Sequence, residues 1–204
     1  MGAGRENRFF PKGRIEALCD GIFAIVMTLL VLDLRAPWFN GRLGRGPFLE
    51  FISGIGEPLF NFAVSFVVLS MLWIWHHRQF REILKMDSFA LAVNLSFLAV
   101  VSLVPFSTSV LSRFMDLWEA DLIFHANIML AGLLLVLNWH YATSDKRLVD
   151  AEMDKETVRT GFKSIAIAPM VALLGMILSL AIRGDSTFVY LMVPFMGTLG
   201  HRDN

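Results

Sequence analysis

Arg14–Leu34 reads RIEALCDGIFAIVMTLLVLDL, and the reading of this stretch decides the fold. It is apolar enough for a membrane helix, yet only the 12 residues Gly21–Leu32 are free of charge. A bilayer core takes about 20 residues to cross. To span, the helix has to carry Asp20 into the membrane, where an ionisable residue marks function by default. At 3.6 residues per turn, Leu18, Ile25, Leu29 and Leu32 fall in one narrow stripe, with Gly21, Ile22 and Thr28 at its margins. Asp20 and Glu16 share the opposite side. The acid is therefore expected to look into protein, and the aliphatic ladder to face either lipid or another surface.

The rest of the chain fits a membrane protein. Hydrophobic residues make up 55% and charged residues 18% of 204 positions, and the mean hydropathy is +0.59. Those values place the chain among polytopic membrane proteins of one domain, residues 1–204. A formal net charge of zero gives no reason to expect nucleic acid as a partner. The single cysteine, Cys19, excludes an intrachain disulfide and any thiol metal cluster; it reads as a small buried residue rather than a redox switch. The N-terminal MGAGRENRFFPKG is basic and polar with no small-residue cleavage site after it, so the first apolar run does not read as a cleaved signal.

A Gly- and Pro-rich loop is expected over Arg35–Glu57, with Trp38 as an interfacial anchor. Uncharged runs then predict spans over Pro58–Trp75, Ser88–Ser112, Leu122–Ser144, Ser164–Ile182 and Ser186–Gly200. The third span is broken late by Pro105, and Asp145–Arg159 is a charged, solvated linker for which a helix is the alternative. With the first helix this makes six transmembrane helices and an all-α fold. Six spans put 13 Lys and Arg on the side of the N-terminus and five, Arg35, Arg42, Arg45, Arg113 and Arg183, on the other. Both termini are therefore expected in the cytoplasm.

This topology brings polar residues from three spans to similar depth. Asp20 lies about two turns into the first helix, roughly 10 Å at 1.5 Å per residue. His76 and His77 close the second span, and Asn94 lies two turns into the third. Buried polar groups in a low dielectric need one another, so Asp20 is expected to pair with His76 or His77 near Asn94. Catalysis is a poor reading. His-Glu-x-x-His, G-x-S-x-G and Walker patterns are all missing from the sequence, and His125 and His140 sit near opposite ends of one span, too far apart to share a metal.

These residues carry a family likeness. Arg14 and Asp20 match the Arg-x-x-x-Phe-Ser-Asp signature of the transmembrane protein 175 family of potassium channels, with Leu18 and Cys19 where the family has Phe and Ser. Gly21–Ile25 and Thr28–Leu32 are similar to that family's first helix. Trp75-His76-His77-Arg78 with Phe80, then Asn94 and Pro105-Phe106-Ser107-Thr108, are similar to its second and third helices. The resemblance covers the first half of the chain by residues and the second half by hydropathy.

The resemblance implies a homotetramer whose first helices line a central pore without a re-entrant filter loop. It implies that Ile25, Leu29 and Leu32 form stacked apolar rings, the constriction and gate, with Thr28 adding hydroxyls as a selectivity element. Arg14, Asp20, His76, His77 and Asn94 would form a structural polar network. The expected function is a potassium-selective cation channel with no cofactor beyond the permeant ion, in a bacterial inner membrane. The alternatives are a proton-conducting channel or proton-coupled transporter using Asp20 and His76, and a membrane scaffold without transport.

Overall fold

In the computed structural model the described residues are 9–34, 44–114, 116–183 and 186–193. The first helix, α1, runs Lys12–Leu29 and tightens into a 3-10 turn over Leu30–Asp33. It is followed by α2 (Arg45–Gly54), α3 (Gly56–Glu82), α4 (Ser88–Ser102), α5 (Val104–Arg113), α6 (Trp118–Thr143), α7 (Lys155–Ile182) and a 3-10 helix over Thr187–Met192. Among the described residues, five helical segments are long and apolar enough to cross a membrane: Lys12–Asp33, Gly56–Glu82, Ser88–Arg113, Trp118–Lys146 and Lys155–Ile182. The sixth expected span, Ser186–Gly200, extends past Val193 and so lies partly outside the described residues, as does the expected anchor Trp38.

Two expectations are corrected. The loop expected over Arg35–Glu57 contains α2, a full helix in which Phe48, Leu49 and Ile52 recur at helical spacing and Pro47 sits in the tolerant first turn. The Asp145–Arg159 segment is part linker and part helix, as its helical alternative allows, and what changes is where the fifth span begins. Asp154 caps α7 by accepting the Thr157 N–H at 2.6 Å, so the helix starts at Lys155, well before Ser164. Leu148 and Val149 turn inward and are buried.

Two ends of the bundle can be told apart by the contacts that close them. At the N-terminal end, the Phe10 N–H donates to the Met86 carbonyl and the Leu84 N–H to the Leu148 carbonyl, each at 2.8 Å. The connection between α3 and α4 is thereby tied to the base of α1 and to the α6–α7 connection. Asp87 begins α4 by accepting the Ala90 N–H at 2.9 Å, while its second oxygen accepts the Tyr141 hydroxyl at 2.7 Å. The Arg147 guanidinium covers the Tyr141 ring at 4.5 Å. At the far end, the Ser179 hydroxyl donates to the Trp118 carbonyl at 3.1 Å.

The break between α4 and α5 falls at Leu103, two residues before Pro105, whose missing N–H cannot continue a helix ladder. The α6–α7 seam depends on close backbone approach: a Cβ on Gly132 would lie 2.6 Å from Pro169 Cδ. Small residues permit such contacts where lipid offers no hydrophobic drive for helix association. Between helices, the Ser65 and Thr108 hydroxyls meet at 2.8 Å and Asn127 donates to Ser107 at 3.0 Å. These pairs satisfy polar side chains inside the bundle, although the buried Trp75 Nε1, Gln79 Oε1 and Asn138 Oδ1 atoms have no hydrogen-bond partner among the described residues.

Candidate pore helix and its polar anchor

Helix α1 buries one narrow face in its own subunit: Ile15, Cys19, Phe23 and Val26, continued by Leu30 in the 3-10 turn. These residues recur at three and four positions, as one helical face requires. The opposite face is uncovered. Ile25 is 60%, Leu29 41% and Leu32 50% exposed, and Thr28 beside them is also exposed. The Thr28 hydroxyl donates its proton to the Ile25 carbonyl at 2.8 Å, which leaves the oxygen's lone pairs directed elsewhere. A third strip, Ala17, Gly21, Ala24 and Thr28, consists of small exposed residues, and a Cβ on Gly21 would meet nothing within 4 Å.

The polar anchor forms where α1, α3 and α4 meet. His76 Nε2 lies 2.8 Å from Asn94 Oδ1, the Asn94 amide donates to Cys19 Sγ at 3.4 Å, and Sγ lies 3.6 Å from His76 Nε2. One assignment satisfies this triangle: His76 donates from Nε2 to Asn94, and the sulfur accepts from the amide. All three residues are buried. The imidazole is held flat between Phe80, at 4.2 Å between ring centroids, and Phe97, at 5.3 Å and 5° from parallel.

Asp20 takes a different position from the one expected. It is exposed in the subunit and accepts the Trp73 indole N–H at 2.9 Å. Trp73 in turn stacks on His77, which is also exposed, at 5.6 Å. The reason is register. Cys19 occupies the face of α1 shared by Ile15 and Phe23, and Asp20 lies one residue, about 100°, further round. His76 and Asn94 therefore meet the thiol, while Asp20, Trp73 and His77 form a second, outward layer. A cavity of about 160 Å³ opens between the layers, lined by Glu16, Cys19, Asp20, His76, His77 and Phe80. Arg14 is exposed at the N-terminal end of α1, and Glu16 is paired with Lys12 at 3.5 Å.

The sequence reading did not give Cys19 a place in the polar network, although its four-residue spacing from Ile15 and Phe23 puts it on the apolar face. Among the described residues, no cluster of three or more His, Cys, Asp or Glu is arranged to hold a metal ion.

Residues 14–105 match the family model described as endosomal/lysosomal potassium channel TMEM175. A protein of Streptomyces collinus named a potassium channel is 31% identical over 153 residues, 72% of this chain and 72% of that protein. The chicken (Gallus gallus) protein named endosomal/lysosomal proton channel TMEM175 is 33% identical over 110 residues, 52% of this chain and 22% of its own length. In fold, the chain is similar to the crystal structure of a lysosomal potassium-selective channel TMEM175 homolog from Chamaesiphon minutus. The TM-score is 0.79 at 23% identity, over 93% of this chain and 98% of that one.

Proposed function

The chain belongs to the TMEM175 family, and on that premise we propose that it forms a potassium-selective cation channel whose pore is lined by α1. The observation that carries this reading is the uncovered aliphatic face of the helix. Only 28% of the apolar window of Lys12–Asp33 is buried in its own subunit, the lowest share among the five candidate spans. A channel assembled around α1 gives that face an axis to surround.

One helix per subunit cannot enclose a pore, so the channel requires several copies, and a homotetramer is the family arrangement. The small strip Ala17, Gly21, Ala24 and Thr28 supports close contact between neighbouring helices beside the pore line. Ile25, Leu29 and Leu32 then stack as apolar rings. They resist ion entry because a bare ion in an apolar gap pays a desolvation penalty and the gap itself expels water. Thr28, with its hydroxyl proton engaged on the Ile25 carbonyl, offers an oxygen to a partly dehydrated cation. The Cys19–His76–Asn94 triangle fixes α1 against the subunit and lies off the ion path. The excess of Lys and Arg on the side of the N-terminus supports cytoplasmic termini, and the similarity to bacterial proteins supports a bacterial plasma membrane.

A second reading is proton conduction through the cavity beside Asp20, His76 and His77, groups that can carry protons. Purified protein in planar bilayers separates the two. Discrete currents reversing towards the potassium potential under opposed potassium and sodium gradients support the first reading. Reversal that tracks the pH gradient instead replaces it with the second. Native mass spectrometry in mild detergent should give a tetramer, and a persistent monomer would end the pore reading.

A further inference from the structure

At the far end of the bundle a second buried polar chain joins α6 to the segment after α7. Asp121 Oδ2 accepts the Ser186 backbone N–H at 3.0 Å and the Ser186 hydroxyl at 3.2 Å. Ser186 Oγ lies 2.8 Å from His125 Nε2, and His125 Nδ1 lies 2.9 Å from the Tyr190 hydroxyl. All four residues are buried. Helix α7 makes room for the ring by carrying Gly175 there, where a Cβ would lie 2.3 Å from His125 Cε1. Phe124 packs edge-on against Tyr190 at 5.6 Å. The chain lies outside the 14–105 family match and has no part in the pore reading.

Counting protons over these four residues gives the chain a direction. Ser186 has one hydroxyl proton, and it goes to Asp121. Ser186 Oγ must then accept from His125, so Nε2 carries the ring proton. A neutral ring keeps a lone pair on Nδ1, to which the Tyr190 hydroxyl donates. Adding a proton to the ring turns Nδ1 into a donor. The Tyr190 hydroxyl then has to reverse and give up its acceptor in buried surroundings, where a stranded donor is costly. The Ser186 arm is unchanged by that step.

We propose that Asp121, Ser186, His125 and Tyr190 form a proton-operated latch. It holds residues 186–193 on α6 and α7 while His125 is neutral, and its Tyr190 arm lets go when the ring gains a proton. Among the described residues, the titratable groups joined to the ring include Asp121 on α6, through Ser186, and Tyr190 on the 3-10 helix. Helix α7 presents Gly175, and its Ser179 is bonded to the Trp118 carbonyl. On α3, which also packs against the 3-10 helix, Glu57 is exposed, as are Glu119 and Arg183 at the same end. Asp185 lies outside the described residues.

The test is hydrogen exchange of the full-length protein in lipid nanodiscs, read on peptides covering 186–193 from about pH 8 to about pH 5, bracketing the ordinary imidazole value of about 6.5. Rates are corrected for the intrinsic pH dependence of amide exchange. Wild type should lose roughly tenfold in protection on acidification, a local opening rather than global unfolding. His125→Gln keeps a donor and an acceptor but cannot titrate, so its profile should be flat. Tyr190→Phe should start from lower protection and also be flat. A flat wild-type profile overturns the proposal, and so does a pH step that survives in His125→Gln. Should His125→Gln fail to fold, a surviving step in Tyr190→Phe overturns it equally.

Discussion

His76 of α3 and Asn94 of α4 meet at 2.8 Å inside the bundle, and the bond they make is what α1 docks on through Cys19. The polar attachments of α1 gather in its N-terminal part: the Phe10–Met86 backbone bond before it, then Cys19 and Asp20. Beyond them its buried side chains are Phe23, Val26 and Leu30. The helix is therefore pinned by directional bonds near one end and by apolar packing along the ladder.

Removing the middle of the triangle should show this most clearly. Asn94→Leu strands the His76 N–H and deprives the thiol of its donor, a loss of about 1–3 kcal/mol for buried partners left unmade. Cys19→Ser supplies a stronger acceptor in nearly the same volume and should be neutral or stabilising. Thermal unfolding of the purified protein followed by tryptophan fluorescence checks both. Equal melting temperatures for Asn94→Leu and wild type would show that the triangle contributes nothing.

The α6–α7 seam gives a second test. Gly132→Ala places a methyl 2.6 Å from Pro169 Cδ and 2.9 Å from its nitrogen, and two helix backbones have to part to admit it. Overpacking of this kind costs about 1–3 kcal/mol. Gly21→Ala on α1 meets nothing within 4 Å in the subunit, so the fold should tolerate it. If α1 packs on neighbouring copies, Gly21→Leu should reduce the tetramer seen by native mass spectrometry without lowering the subunit's helix content. Tetramer yield equal to wild type would remove Gly21 from the subunit interface.

What the sequence made legible follows physical type. The spans were readable because uncharged runs of bilayer length leave few other folds, and Pro105 announced the α4–α5 break. Depth counting put His76, His77 and Asn94 at one level, although the pair expected there was Asp20 with a histidine. The place of Asp20 did not follow from depth, because its neighbour Cys19 differs by only one position, and one residue turns a helix by about 100°. Depth is set by the number of residues, whereas azimuth depends on which helices surround the site. The chain from Asp121 to Tyr190 was illegible for a related reason: its members are 65 positions apart, and Gly175, which admits the His125 ring, looks like any other glycine in an apolar helix.

Asp20 now carries a sharper expectation. It is exposed in the subunit and bonded to a Trp73 indole that is itself exposed. That single bond lies on an open face of the subunit rather than in its core, so Asp20→Ala should cost the isolated subunit no more than about 1 kcal/mol. Any large loss in the assembled channel must then come from contacts with another copy. Comparing the melting of dissociated subunits with tetramer yield separates the two effects. A subunit that unfolds outright in Asp20→Ala would return the acid to the core of the fold.

The last prediction concerns the ladder itself. Ile25 is 60% exposed in the subunit and lies one turn before Leu29 on the same face. If that face surrounds the axis, the four Ile25 side chains form an apolar constriction in which water is poorly held and an ion meets a dehydration barrier. Ile25→Asn shortens and polarises the ring, so it should wet the gap and raise resting current in bilayer recordings. Thr28→Val preserves volume and removes the hydroxyl that donates to the Ile25 carbonyl. If the Thr28 oxygen replaces part of the potassium hydration shell, selectivity over sodium should fall while the pore still opens. The pair thus separates gate from selector. A lipid-facing ladder predicts neither effect, because substitutions on an outer surface change only packing. Unchanged resting current in Ile25→Asn, in protein shown to reach the membrane and assemble, would take Ile25 out of the pore.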